Sequence, residues 1–200
     1  MAEIVSPRAQ KTEGMLVLPS SLEDAARARP GMLKIGLLAT CGSIFALFAA
    51  VVIAYYWRAT TPPLWAPVAL PSTLWISTAV IAVSSATFEI GRRQYGVGAY
   101  RMARGWFIAT ACLGCAFLVA QAQAWRELVH TGAFLVQNPH SSFFYVFTGL
   151  HAAHLLGGLI AVGMVLVRSN ARRELIDVTV YYWHFLGVLW AGLYASLRLI

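Results

Sequence analysis

Long apolar runs, each about the length of a membrane crossing, alternate along this chain with short polar connections. Five runs are read, over about residues 35–57, 70–90, 105–125, 143–167 and 178–199. Each holds the roughly 20 residues a helix needs to cross a bilayer. A membrane barrel would show segments of ~10 residues with alternating hydropathy instead, and no such alternation is present. The pattern predicts an all-α fold: a polytopic membrane bundle of five transmembrane helices over residues 33–200, after a flexible cytoplasmic tail over residues 1–32. In that tail, SSLEDAARAR carries an N-cap pattern, with Ser21 as cap and Asp24 at the third helical position. A proline-rich hairpin (Pro62, Pro63, Pro67, Pro71) joins the first two runs. No internal repeat of the kind that builds transporters from two similar halves is visible.

Composition supports the membrane reading. Only 12% of residues are charged, 59% are apolar and the mean hydropathy is +0.66, whereas soluble chains carry roughly 25% charged residues. The first 30 residues hold Pro7, Pro19 and Pro30 and no apolar run long enough for a secretion-signal core. The net charge of +7 does not point to nucleic acid, because the basic residues lie between the spans. Arg8, Lys11, Arg27, Arg29 and Lys34 precede the first span. Arg92, Arg93, Arg101 and Arg104 follow the second, and Arg168, Arg172 and Arg173 follow the fourth. The opposite side has Arg58, Arg126 and Arg198, a division of 12 against 3 that only five spans produce. By the positive-inside rule the N-terminus is cytoplasmic and the C-terminus outside.

The fourth span, FFYVFTGLHAAHLLGGLIAVGMVLVR, carries polar side chains in its interior, Thr148, His151 and His154. It also carries a small-residue ladder, Gly149, Ala153, Gly157 and Ala161, at four-residue spacing, which falls on one helix face. That face is read as a helix-packing seam, since association in lipid rests on close packing. His151 and His154 share a face, which fits a metal or haem site, or neutral imidazoles bonded to neighbouring helices or lipid headgroups. Cys112 and Cys115 form an isolated C-x-x-C at lipid depth, read as packing beside Gly114 and not as zinc ligation. Glu89 sits three and four residues before Arg92 and Arg93, the spacing of a local ion pair; a proton-relay or headgroup role is the alternative. Gln121 and Gln123 are read as interhelical hydrogen-bond donors. Asp177 suits the positive end of the fifth helix, and Tyr181-Tyr182-Trp183-His184-Phe185 reads as a surface for a partner or a lipid headgroup. The sequence holds no nucleophile with a base at sensible spacing, no phosphate loop and no intramembrane lysine.

These residues carry a resemblance. SFFYVFTGLHAAHLLGGLIAV resembles the signature segment of subunit III of haem-copper terminal oxidases, an aromatic-rich start leading into T-G-x-H-x-x-H-x-x-x-G; Thr148, Gly149, His151, His154 and Gly158 match it. The fifth span is similar to that family's closing helix at Tyr182, Trp183, His184, Phe185 and Trp190. The second resembles its Ser/Thr-rich helix, with Ser72 where Asn is usual. The likeness covers about residues 31–200 and points to the short, five-helix bacterial form. The chain departs from the family in having no acidic residue in LLATCGSIFALFAA, and Glu127 follows Gln121 at six residues, outside the apolar stretch.

The resemblance implies a non-catalytic subunit in the bacterial plasma membrane. It would pack on oxidase subunit I beside other oxidase subunits, hold structural phospholipid in a cleft between its first two helices and the rest, and support sustained turnover and proton uptake. Haem and copper would sit in partner subunits, with no catalytic or metal-ligating residue in this chain. The complex would reduce oxygen to water, with proton translocation. Candidate lipid or assembly residues are His151, His154, Glu89, Tyr182, Trp183 and His184. Two other readings remain: a haem-b membrane anchor of a respiratory dehydrogenase, using His151 or His154 with His184, and a small transporter with Glu89 and Gln121 near a pathway.

Overall fold

A backbone in hydrocarbon must satisfy its own hydrogen bonds, so each apolar run folds as one unbroken helix. The computed structural model describes residues 31–60, 70–130, 139–168 and 171–199. These form α1 (Met32–Ala59), α2 (Thr73–Gly96), α3 (Tyr100–His130), α4 (Pro139–Val167) and α5 (Arg173–Leu199). The expected tail over 1–32, with its Ser21 cap, and the hairpin prolines up to Pro67 lie outside the described residues, apart from Gly31 and Met32. The helices overrun the apolar runs, most clearly in α3, which extends five residues beyond its run at each end. Hydropathy marks the apolar middle of each helix, and the helices continue past it at the ends.

Four helices, α1 to α4, are long and apolar enough to cross a membrane. α5 has 27 residues, roughly 40 Å of helix, but its polar content keeps it out of that set. The packing explains the difference. α2, α3, α4 and α5 form a ring in chain order, with α5 closing back on α2, and α1 lies outside it against α4 and α5. α5 therefore touches three helices and presents little of itself to lipid. Asp177, Trp183 and Trp190 find partners on α2, and Tyr182 finds one on α4.

The helices alternate in direction. The end of α2 meets the start of α5, where Arg92 reaches Asp177, and the start of α2 meets the end of α3, where the Thr73 hydroxyl bonds Glu127. The α2–α3 connection is short because Gly98 adopts φ +82°, the single positive φ among the described residues. An L side chain would strain that turn.

The core centres on Trp183 of α5, which is fully buried. Its ring fills space left by two glycines. A Cβ at Gly114 of α3 would stand 2.8 Å from it, and one at Gly158 of α4 would stand 3.1 Å from it. Phe88 of α2 meets its edge at 6.0 Å between centroids. The indole N–H donates to the Ser84 hydroxyl at 3.2 Å, and Ser84 donates to the Thr110 carbonyl of α3. One side chain thus joins all four helices of the ring. Trp183→Ala is expected to destabilise the fold by about 3–5 kcal/mol, the range for emptying a large aromatic site. Thermal unfolding in mild detergent measures it, with Val188→Ala, an exposed position of the same helix, as control. Equal midpoints for the two variants would remove Trp183 from the centre of the fold.

Candidate functional site

Three polar layers cross the ring, built by helix register. At the first, Trp183 bonds Ser84 as above, and Thr87 and Thr110 join hydroxyls at 2.9 Å. At the second, the Trp190 indole donates to Thr78 at 3.0 Å and the Gln121 amide donates to Ser77 at 3.0 Å. At the third, the Trp125 indole donates to Thr148 at 2.8 Å, and Thr148 donates to its own helix at Phe144. Each indole N–H, which lipid cannot satisfy, meets a hydroxyl on another helix. Gln121 makes the interhelical bond expected of it, while Gln123 is exposed.

His151 belongs to the second layer. It is fully buried, with its ring 5.1 Å from Trp190 and 5.7 Å from Phe117. Neither ring nitrogen has a hydrogen-bond partner among the described residues, nor does Gln121 Oε1. His154 turns to α1, with Phe48 at 5.7 Å, and its Nδ1–H donates to its own helix at the Leu150 carbonyl, 2.7 Å away. Tyr182 donates to the His154 carbonyl at 3.3 Å. His184 stands instead near Glu89, at 3.8 Å, six residues or ~9 Å along the axis from the Trp190 level. The three histidines therefore do not face one another across one ligand position, and the haem-anchor reading loses its geometry. Among the described residues no group of three or more His, Cys, Asp or Glu side chains gathers as metal ligands would. Cys112 and Cys115 are free and exposed, on the side away from the Gly114 packing face, which corrects their expected place in it.

A charged cluster closes one end of the ring. Glu89 accepts both Nε and Nη2 of Arg92, each at 2.8 Å, a bidentate pair. It also accepts Arg93 Nε at 2.8 Å. Arg92 Nη1 reaches Asp177 of α5 at 3.3 Å, and its guanidinium lies 5.9 Å from the Tyr181 ring. The local ion pair expected at Glu89 is present, and Asp177 extends it to a second helix. Two carboxylates and two guanidiniums balance, with the His184 imidazole 3.8 Å from Glu89, and the cluster fixes register between α2 and α5. A transporter pathway through Glu89 and Gln121 is not what this placement builds, since Gln121 lies in the Ser77 layer and Glu89 is held at the helix end.

Two further expectations are corrected. The ladder Gly149, Ala153, Gly157 and Ala161 is not the seam of this chain's own bundle. A Cβ at Gly157 would meet nothing within 4 Å, and one at Gly149 only ordinary contact with Trp125 at 3.8 Å. Close packing falls one position along, at Gly158, because the buried face of α4 runs through Thr148, His151, Leu155, Gly158 and Val162. Likewise Tyr182, Trp183 and His184 do not form one displayed surface. Successive helix positions turn by 100°, which sends Trp183 to the core, Tyr182 to α4 and His184 to Glu89. The contributions of Ser77, Thr78 and Ser84 were missed as individuals. Their signal was present in the excess of Ser and Thr on the second span, which matches the indoles needing acceptors.

Fold and geometry together define a membrane-embedded helical subunit whose interior polar groups tie helices to one another and assemble no redox or hydrolytic centre among the described residues. Residues 25–199 match the cytochrome c oxidase subunit III family, and the chain belongs to it. It is 31% identical over 182 residues to the probable cytochrome c oxidase subunit 3 of Nocardia farcinica, covering 86% of this chain and 90% of that protein. It is 31% identical over 193 residues to the cytochrome c oxidase subunit 3 of Corynebacterium diphtheriae, covering 88% and 92%. A more distant relative is the cytochrome c oxidase subunit 3 of Thermostichus vulcanus, 28% identical over 187 residues. The chain is thus a subunit of a haem-copper oxidase complex, and its bacterial relatives point to the plasma membrane.

A double-mutant cycle tests the layers. The Trp125→Phe and Thr148→Val pair is expected to show a coupling of about 0.6 kcal/mol, and no more than about 1.7, the range for interhelical bonds in membranes. Additive effects in unfolding measurements would show that the 2.8 Å bond does not couple α3 to α4.

Proposed function

We propose that this chain is the non-catalytic subunit III of its oxidase, that it stabilises subunit I by direct contact, and that it binds phospholipid and supports sustained turnover and proton uptake. Electrons and oxygen are handled by haem and copper in the partner subunits. All five helices cross the membrane, with the N-terminus cytoplasmic and the C-terminus outside. The observation that carries the reading is the commitment of interior indoles and hydroxyls: each one in the three layers bonds another helix or its own backbone, while the His151 ring and Gln121 Oε1 stay without partners among the described residues. Such an interior suits a scaffold and leaves recognition to the outer faces.

The outward ladder of α4 then becomes the surface for a partner helix, because Gly157 and Ala153 are exposed on it. The two first helices do not form a separate pair, since α1 packs on α4 and α5 while α2 packs on α3 and α5. Lipid held between them and the rest would therefore lie along the flanks of α1, and not in a cleft behind a two-helix unit.

An affinity-tagged chain is expected to bring down a haem- and copper-containing subunit from native membranes, and to show no Soret band when isolated. Recovery only with proteins lacking both groups would refute the assignment. Gly157→Leu is expected to lower the yield of assembled oxidase more than His151→Ala, with the isolated chain still folded, because a bulky side chain in a close helix contact costs about 1–3 kcal/mol. Unchanged assembly would remove the ladder from the partner interface.

A further inference from the structure

Two side chains of the second layer have hydrogen-bonding capacity that the helix–helix bonds do not use. His151 of α4 is fully buried and Gln121 of α3 is 3% exposed. Both ring nitrogens of His151 and the Oε1 of Gln121 are without a hydrogen-bond partner among the described residues.

Helix register brings these groups together. α3 and α4 run antiparallel, with Trp125 against Thr148 at one level and Gly114 against Leu159 at another. Both pairs set the same register, in which Gln121 stands opposite Ala152, one residue or ~1.5 Å of rise from His151. Both side chains also border Phe117. Gln121 follows it by one turn on α3, and the His151 ring lies 5.7 Å from it.

Neither side chain is free to turn to the other. The Gln121 amide donates to the Ser77 hydroxyl at 3.0 Å, and Ser77 gives its own proton to the Leu74 carbonyl at 2.9 Å. Ser77 can therefore only accept, which holds the amide N–H toward α2 and leaves Oε1 over. The His151 ring lies on Trp190, with centroids 5.1 Å apart and planes at 36°, and meets Phe117 at 72°. Trp190 is itself pinned by its bond to Thr78 and by Phe117 at 5.1 Å. Turning the imidazole would break that stack. The buried neighbours of Gln121 on α3, Ala120 and Ala124, are small, which leaves space beside the amide for one further small group.

We propose that one water molecule bridges His151 and Gln121, accepting the imidazole N–H and donating to Gln121 Oε1. A neutral imidazole carries one N–H and one bare nitrogen, and a bundle interior enclosed by lipid must satisfy that N–H from within. A buried water makes two to four hydrogen bonds to polar groups left over by the protein. It adapts to partners whose positions other contacts have set, which the two side chains do not. The bridge ties α4 to α3 at the level where Trp190 ties α5 to α2, so the second layer joins all four helices of the ring. It gives His151 a hydrogen-bonding task inside the bundle, and it depends on the fold alone.

A cryo-electron map of the assembled oxidase, at a resolution that shows ordered water, tests the bridge. A compact density is expected within about 3.2 Å of both a His151 ring nitrogen and Gln121 Oε1. Maps of Gln121→Met and His151→Phe, each of which removes one partner and keeps most of its volume, are expected to lose that density while the helices keep their positions. Three results would overturn the proposal: no density between the two side chains, a direct His151–Gln121 contact in its place, or a density that survives in both variants. If neither variant assembles, the map of the unmodified complex decides alone, since it either holds the density on both partners or does not. The chains neighbouring this one in the same map report separately on the subunit III reading.

Discussion

The fit of one indole between two glycines is the constraint on which this bundle rests. Trp183 occupies the axis of the four-helix ring because Gly114 and Gly158 have no side chains to keep it out. In water, burying such a ring would itself drive folding. In lipid that gain is small, because the tails are as apolar as the core, and association depends on close packing and satisfied polar groups. Trp183 supplies both. Its ring touches α2, α3 and α4, and its N–H has Ser84 as acceptor. Moving α2 or α5 along its axis by a residue would break the hydrogen bond, and moving α3 or α4 would break the packing, so the register of all four is set at once.

The other layers repeat this device with different partners. Trp190 with Thr78 and Trp125 with Thr148 each place a donor on one helix opposite a hydroxyl on another. The hydroxyls themselves can return a proton to a carbonyl of their own helix, as Thr78 does to Leu74 and Thr148 to Phe144. A hydroxyl is thus both an acceptor for the indole and a satisfied donor, which an amide such as Gln121 is not: its Oε1 is left without a partner among the described residues. This difference accounts for why the layers are built from Ser and Thr.

Much of this was legible in the sequence. The five runs, the alternation of basic loops and the T-G-x-H-x-x-H segment located the helices and the family, because apolar length and family spacing are properties of the chain itself. The faces of the helices were harder. On α4 the strict i+4 ladder predicts the seam, yet the buried face runs through Thr148, His151, Leu155 and Gly158. In a membrane helix both faces are apolar, so hydropathy does not say which one meets protein. Small residues mark close approach without saying whether the neighbour is this chain or another. The Asp177 end of the Glu89 cluster was equally hidden, since 85 residues separate it from Arg92 and nothing local predicts that pairing.

α5 shows why hydropathy understates a central helix. It carries Glu174, Asp177 and His184 beside three tyrosines and two tryptophans, a composition that would be expensive facing lipid. Its buried face, Ile176, Val180, Trp183, Leu186 and Trp190, is turned to the ring. Trp183 and Trp190 bond to α2 from that face, Tyr182 donates to α4, and Asp177 meets Arg92 of α2 at the helix end. The large apolar side chains it shows outward are Tyr181, Val188 and, at its last residue, Leu199. A helix enclosed by neighbours on three sides can be amphipathic in the polar-inside sense, because the interior supplies partners that the bilayer does not. By the same logic α1, with only Ile44, Phe48 and Tyr55 buried, must be apolar nearly all round. Among α1 to α4, the most apolar helix, α1, is thus the least enclosed by protein and the least apolar, α2, the most enclosed, which leaves α1 with most surface for lipid or a partner.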